Sequence, residues 1–371
     1  MPIAEPPDFT STRNERTKGE YLMRISLSYM KATLLALVLL ASQAVAGGGN
    51  KEGTAAADQL LVPVGARGIA LGSSYTAGLT GVEAIYFNPA GLSGSNHGVE
   101  VFFSQMNGLD NDGVSYFVIG SNVEGFGHVG FSIKSFSFSD MLITDERQPD
   151  GTGAVFSPTF MALGLTYSRA LTDRIRSGVT VHLVSEELDR ASASGFAFDI
   201  GVQYNGLAGI DGLEMGVTLR HLGGNMKFDG PGLLRLVDEV GADRSGQLLK
   251  IESAGFQLPT SLEIGMAYRR SFDEMHDVML TGSFENNNYL TDQYRLGVEY
   301  TFNKFLSLRG SYAIAGNDKT TLDDEAGYMY GPAFGFGIQQ WAGSAKLYLD
   351  YAYRVREVFA AQHVVSVKIG F

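Results

Sequence analysis

A chain of 371 residues has room for two ordinary globular domains or one large β domain, and 47 glycines, 17 tyrosines and 23 phenylalanines against one tryptophan favour the β alternative. A formal charge of −12 argues against a nucleic-acid partner, which would select a basic face, and reads as a solvated acidic surface. The absence of cysteine removes disulfides, thiolate metal sites and cysteine nucleophiles together.

Residues 1–22 are polar and unsuited to stand in front of a secretory leader; they read as an upstream extension, with Met23 or Met30 as the true start. Met30-Lys31 leads into an apolar run from Ala32 to Leu40 that closes on Ala44-Val45-Ala46. A positive start, a short apolar core and an A-x-A ending make a secretory signal peptide over 23–46, too short to span a bilayer. Cleavage after Ala46 is expected, and the mature chain leaves the cytoplasm. Residues 47–95 begin with a glycine-rich stretch and become compact as VPVGARGIALGSSYTAGLTGVEAIYFNPAGLSG. Within it, Pro89 fixes its own φ and pushes Asn88 out of the helical region, Asn88 suits an Asx turn, and Gly91 permits a tight reversal. The segment is too short to build a core of its own.

From residue 96 to the end one pattern recurs: stretches alternating apolar with polar or small residues, each closed by Gly, Asn or Asp. Met161-Ala162-Leu163-Gly164-Leu165-Thr166-Tyr167 is one example and Tyr294-Arg295-Leu296-Gly297-Val298-Glu299-Tyr300 another. A period of two sends one set of side chains to each face of a sheet. The second face carries Glu100, Lys134, Asp199, Arg220, Glu263, Arg295, Glu299, Arg309, Asp350 and Lys368, and ionised groups in such number need water or salt partners. About fourteen segments can be counted, centred near Val101, Phe117, Phe131, Leu163, Val181, Ile200, Val217, Ile264, Leu280, Val298, Leu308, Phe336, Leu349 and Val367. Connections at 171–174, 271–274 and 303–304 are tight; those at 139–154, 223–255 and 317–327 are long. The expected fold is therefore all-β: a transmembrane antiparallel β-barrel of about 14 strands over 96–371, plugged by an N-terminal hatch, 47–95, whose backbone the polar inner face can satisfy.

Little suggests catalysis. No P-loop, H-E-x-x-H or G-x-S-x-G occurs, and no nucleophile is paired with a base. The six histidines are scattered, and Asp110-Asn111-Asp112-Gly113 lacks the later glutamate of a calcium loop. Asp323-Asp324-Glu325 reads as a solvated loop tip, and Gly65 to Gly72 lacks the strand-then-helix frame of a phosphate cradle. No enzymatic activity and no cofactor are expected.

Val64-Gly65-Ala66-Arg67, the Gly72-to-Ala77 stretch and Glu83-Ala84-Ile85-Tyr86-Phe87-Asn88-Pro89-Ala90-Gly91-Leu92 together resemble the N-terminal signature of the PorV/PorQ outer-membrane proteins, part of the wider FadL-like family. Leu258-Pro259-Thr260-Ser261-Leu262-Glu263-Ile264-Gly265-Met266-Ala267-Tyr268 is similar to a second stretch of that family. The likeness spans the mature chain apart from its long loops. It implies a 14-stranded barrel closed by a hatch, in agreement with the independent count, in the outer membrane of a Gram-negative-type bacterium. Outer-membrane lipid and the barrel assembly machinery would be its partners. The terminal Phe371, on an alternating last strand, looks like the signal that this machinery reads.

The resemblance implies two functions. One is passive uptake of hydrophobic small molecules, captured among the long loops and passed on by a shift of the hatch or through a side opening. The other is a PorV-like role in type IX secretion, in which the same loops bind an exported polypeptide. A porin without a selective ligand is disfavoured by the folded plug. The expected site residues are the hatch motif Tyr86, Phe87, Asn88, Pro89, Ala90, Gly91 and Leu92. To these are added a wall bulge at Lys134, Ser135 and Phe136, where the apolar set changes parity after Ile133, and a capturing loop, 223–255, carrying Met226, Phe228, Leu233, Leu234, Leu236 and Val237. Uptake is the reading adopted.

Overall fold

The computed structural model describes residues 55–107, 112–237, 247–289, 292–315, 330–356 and 360–371. The upstream extension, the signal peptide, the first eight hatch residues, Asp110-Asn111 and Asp323-Asp324-Glu325 lie outside these.

Fourteen antiparallel strands close into a barrel: β1 (Val99–Asn107), β2 (Gly113–Val123), β3 (Gly127–Ser137), β4 (Thr159–Ala170), β5 (Ile175–Leu188), β6 (Ala191–Asn205), β7 (Leu213–Gly223), β8 (Ser261–Ser271), β9 (His276–Asn287), β10 (Gln293–Phe302), β11 (Leu306–Ala315), β12 (Tyr330–Ala342), β13 (Ala345–Arg356) and β14 (Gln362–Gly370). Each segment centre read from the alternation falls inside one strand. The closure joins β1 to β14, with Glu100 opposite Gly370 and Met106 opposite Val364. Phe371 extends this seam: its N–H donates to the Val99 carbonyl (2.9 Å) and its carbonyl accepts from Gly98 N–H (2.8 Å).

The period of two explains the two faces. Leu165 and Leu296, each 64% exposed, and Phe334, Leu308 and Leu280 project outward, an apolar surface of the kind that lipid solvates. Ser104, Thr166, Thr180, Asp199, Thr218 and Glu263 are buried on the inner side. The tight connections gather at one end of the barrel. At the other, 138–158 and 224–260 are long and carry short hairpins of their own, Met141–Leu142 with Val155–Phe156, Met226–Lys227 with Gly255–Phe256, and Leu234–Val237 with Gln247–Lys250. That end is not uniformly long, because β5 and β6 are joined through Asp189-Arg190 alone.

The expected wall bulge at Lys134, Ser135 and Phe136 is not there. β3 pairs residue for residue with β2 (Lys134 opposite Tyr116, Phe136 opposite Val114) and with β4 (Lys134 opposite Ala162, Phe136 opposite Phe160). The change of parity has another cause. Phe136 points inward and packs on the apolar core beneath it. The inner face is thus not uniformly polar, since Phe102, Met106, Val114, Tyr116 and Val118 of β1 and β2 are buried there too. Register shifts occur elsewhere: Arg220 and His221 of β7 oppose the single Asp199 of β6, and Gly331-Pro332 of β12 oppose Val355 of β13.

Candidate functional site

Residues 55–97 run through the lumen from the long-loop end to the short-turn end. At the first end Ala56 N–H donates to the Gln257 carbonyl in the β7–β8 connection (2.9 Å), and at the other the chain passes His97 into β1. Frequent glycine keeps the helices short, α1 (Ala66–Ala70) and α2 (Ala84–Phe87), flanked by 3₁₀ turns at Asp58–Leu61 and Pro89–Gly94. Asn88 adopts the extended conformation that a following proline demands, with φ −156° and ψ 109°. Its Oδ1 accepts from Ala90 N–H (3.1 Å), which caps the second 3₁₀ turn as an Asx turn would.

The rest of the Asn88 amide ties the hatch to the wall. The side chain is wholly buried, and Nδ2 donates to the Thr76 carbonyl (3.0 Å) and to the Val202 carbonyl of β6 (3.1 Å). Beside it, Gln203 Nε2 donates to the Thr76 and Leu79 carbonyls, and Ser168 Oγ on β4 donates to the Ala90 carbonyl (3.0 Å). Wall glycines make these approaches possible. A Cβ on Gly201 would stand 2.0 Å from Asn88 Oδ1, one on Gly178 2.4 Å from the Pro89 carbonyl carbon, and one on Gly216 2.3 Å from the Thr76 oxygen. Part of the glycine excess is the imprint of the hatch on the barrel.

On its polar side the hatch is held by ions. Arg67 makes a bidentate pair with Glu299 (2.9 and 2.7 Å), Glu299 also accepts from Arg309 (2.5 Å), and Arg309 reaches Asp350 (2.5 Å). Glu83 lies 3.3 Å from Lys368 and 3.8 Å from Arg67, while Glu100 accepts from Val82 N–H (2.9 Å). Between this side of the hatch and β8–β14, toward the short turns, is a polar cavity of about 320 Å³, with a second of about 60 Å³ sharing Arg67, Glu299 and Tyr348.

The opposite side is apolar and aromatic. Tyr86 and Phe102 both meet Tyr116, with ring centroids 6.5 and 6.2 Å away. Toward the long loops, Lys134 donates to the Gln59, Leu60 and Val62 carbonyls (2.7, 3.3 and 2.5 Å), its ammonium lying over the rings of Tyr86 and Phe136. Burial pushes the Tyr86 hydroxyl above its usual pKa, which keeps it a donor to the Leu60 carbonyl (3.0 Å). Phe138 continues the series, 6.3 Å from Phe136 and 4.9 Å from Phe160. A second apolar cluster adjoins it, with Ala57, Leu60, Ala162, Val184, Met226 and Leu258 buried and Phe228 and Phe256 packed against them. The capturing loop thus divides: Met226 and Phe228 belong to this cluster, Leu233 and Leu234 are half-buried, and Leu236 is exposed.

One cluster has no signal in the sequence. The register of β5, β6 and β7 gathers His182, Asp199 and His221: Asp199 Oδ2 lies 2.8 Å from His182 Nε2, and Oδ1 accepts from His221 N–H (2.7 Å). Separations of 17 and 22 residues give no local pattern to find. Among the described residues no group of three or more His, Asp or Glu side chains is arranged to hold a metal ion.

A closed 14-stranded antiparallel barrel whose lumen is filled by its own N-terminal segment defines a class, the plugged β-barrels. Two solved structures share the architecture. The CymD monoaromatic hydrocarbon channel matches at 15% identity over 84% of this chain and 98% of that one, with a TM-score of 0.51. A Pseudomonas aeruginosa FadL homologue matches at 11% identity over 84% and 98%, with a TM-score of 0.50. No protein-family model and no curated protein matches the chain. At these identities the likeness shows the fold, and the fold is that of the FadL-like barrels.

Proposed function

We propose that the protein is a channel of the bacterial outer membrane for passive uptake of hydrophobic small molecules. The observation that carries this reading is the aromatic series Phe160, Phe138, Phe136, Tyr86 and Tyr116, which leads from the long-loop rim to the apolar side of the hatch. A hydrophobic solute entering among the long loops meets rings along one sector of the lumen, away from the ion pairs on the other side of the hatch, and displacing ring–ring contacts by ring–solute contacts costs little. The hatch then closes the pathway until its apolar side yields. The fold of a hydrocarbon channel supports the reading. The PorV/PorQ-type affiliation is part of the proposal and rests on Glu83–Leu92. For a PorV-like dock, an exported polypeptide would engage the outer surface of the loops. The inward-leading rings favour a small molecule.

The test is uptake of a radiolabelled monoaromatic hydrocarbon by cells carrying the wild type or the Phe136→Asp/Phe160→Asp variant. Uptake should fall to the level of cells lacking the protein in the variant alone. Equal uptake in all three would exclude the channel reading, and a secreted polypeptide recovered with the wild type would favour secretion.

A further inference from the structure

The β7 bulge does more than bend the wall. It turns His221 into the left-handed region, φ 57°, where a β-substituted residue is uncommon, and buries its ring. It also takes His221 N–H out of the ladder, and the Asp199 carboxylate replaces the missing carbonyl acceptor. One carboxylate thereby bridges three neighbouring strands, through His182 on β5 and His221 on β7. The buried His221 Nδ1 has no hydrogen-bond partner among the described residues, and the two imidazoles are 6.3 Å apart.

The same bulge connects to the first residues of the hatch. The His221 carbonyl accepts from Thr260 Oγ1 (3.2 Å), and three residues earlier the Gln257 carbonyl holds Ala56 N–H (2.9 Å). The Leu258-Pro259-Thr260 stretch singled out in the sequence therefore spans from the bulge to the strap of residues 55–62. Strap residue Ala57 is held by Glu186 of β5 (2.9 Å), and Lys134 of β3 holds the strap's carbonyls.

The charges around this bridge are nearly balanced. Arg220 on β7 is matched by Glu285 of β9 (2.6 Å) and Glu263 of β8 (3.2 Å), and Arg295 of β10 pairs with the same two carboxylates. Lys134 faces the site from β3, and the Tyr86 ring lies between Lys134 and Arg220. With neutral imidazoles, Asp199 is the local counter-charge to Lys134. Asp199 Oδ2 is already engaged by His182 Nε2, 2.8 Å away. A proton on His221 then has no free carboxylate and no acceptor at Nδ1, and it stands beside two fixed cations. Relief requires the ring to reach water, which unmakes the bulge and lets go of Thr260.

We propose that the His182–Asp199–His221 bridge is a proton-sensitive catch on the strap, which frees residues 55–62 and opens the long-loop end of the lumen in acid. The inference rests on residues 55–97 acting as the closure, and its test reads strap release and not uptake, so either can fail alone. The cysteine-free chain gives a clean reporter. Full-length protein in detergent carries Ala56→Cys, or Ala254→Cys in the exposed loop as a control for intrinsic thiol reactivity, and is labelled with a maleimide. The ratio of the two rates should rise about tenfold from about pH 7.5 to about pH 5, the equivalent of one unit of pKa coupling across the range where imidazoles titrate. His221→Asn, which tolerates the left-handed backbone, should abolish the rise, and His182→Gln should reduce it. At neutral pH, Asp199→Asn should raise the ratio unaided, because the neutral amide can keep both hydrogen bonds but removes the counter-charge to Lys134. A flat wild-type ratio, an equal rise in His221→Asn, or an unchanged neutral ratio in Asp199→Asn would each overturn the catch.

Discussion

Asn88 and Gly201 fit each other as key and notch: the Asn88 amide occupies the place where a side chain on Gly201 would be, 2.0 Å from its would-be Cβ, and bonds the next wall carbonyl, Val202. Hatch and barrel have therefore been shaped together, and the first expectation concerns this fit. Gly201→Ala forces the amide back and breaks its bonds to Thr76 and Val202. Overpacking and lost hydrogen bonds together should destabilise the closed hatch by about 2–4 kcal/mol while leaving the barrel intact. Liposome swelling with small sugars should reveal a leak absent in the wild type, with the heat-dependent electrophoretic shift unchanged. Asn88→Ala should leak likewise, and Gly224→Ala, with open space around it and no left-handed backbone, should not.

The ionic side offers a separate handle. Arg67→Ala leaves Glu299 with Arg309 and so does not strand it, but the hatch loses its bidentate anchor. Truncating one member of a buried pair typically costs about 3–5 kcal/mol, and the remaining Arg309 should hold the loss to the lower end. The expected result is faster amide exchange over 66–92. Arg67→Lys should recover only part of the protection, since an ammonium cannot make the two parallel bonds. Glu299→Gln added to Arg67→Ala should cost less than the sum of the two single changes, the mark of a direct coupling.

Lys134 carries a third expectation. Its ammonium is buried and spends its donors on three strap carbonyls, so Lys134→Met keeps the stem and deletes the tie. Leaving the Gln59, Leu60 and Val62 carbonyls without that donor should cost about 2–3 kcal/mol, localised to the strap. A protease added from outside should then nick the chain between residues 55 and 62 several times faster. Uniform acceleration across all loops would instead indicate a general loss of barrel stability.

How much of the fold is legible in the sequence depends on the physics of each feature. The strands are legible because the wall is one residue thick: each side chain meets either lipid or lumen, and a period of two records that choice at Leu163, Gly164 and Leu165 without reference to any partner. Asn88-Pro89 is legible as a turn because proline acts on its own backbone and its neighbour's. The His182–Asp199–His221 bridge and the two register shifts are not legible, since they depend on how β6 meets β7 and β12 meets β13, and pairing leaves no mark within a single strand. Phe136 defeats the pattern for a related reason. Alternation alone implies one polar inner face, whereas the hatch lends the lumen an apolar core beside β1–β3, so an inward aromatic there is ordinary packing.

That correction sets the last expectation, a contrast between Phe131 and Phe136. The two lie on the same strand, five residues apart, but opposite parities send Phe131 out to lipid and Phe136 in toward Tyr86 and Lys134. Phe136→Ala removes a ring from a packed lumen, with a cost of about 2–3 kcal/mol for a half-buried aromatic, and interrupts the series that leads to the hatch. Hydrocarbon uptake should fall several-fold and the strap should label faster. Phe131→Ala trims a partly exposed ring on the outer face, beside Ile119 and Leu165 and away from the hatch. Its uptake and strap labelling should match the wild type, with the loss confined to a small decrease in the temperature at which the barrel unfolds. Were β3 instead bulged between the two, both rings would share a face and the two variants would behave alike; measuring uptake for the pair separates the alternatives.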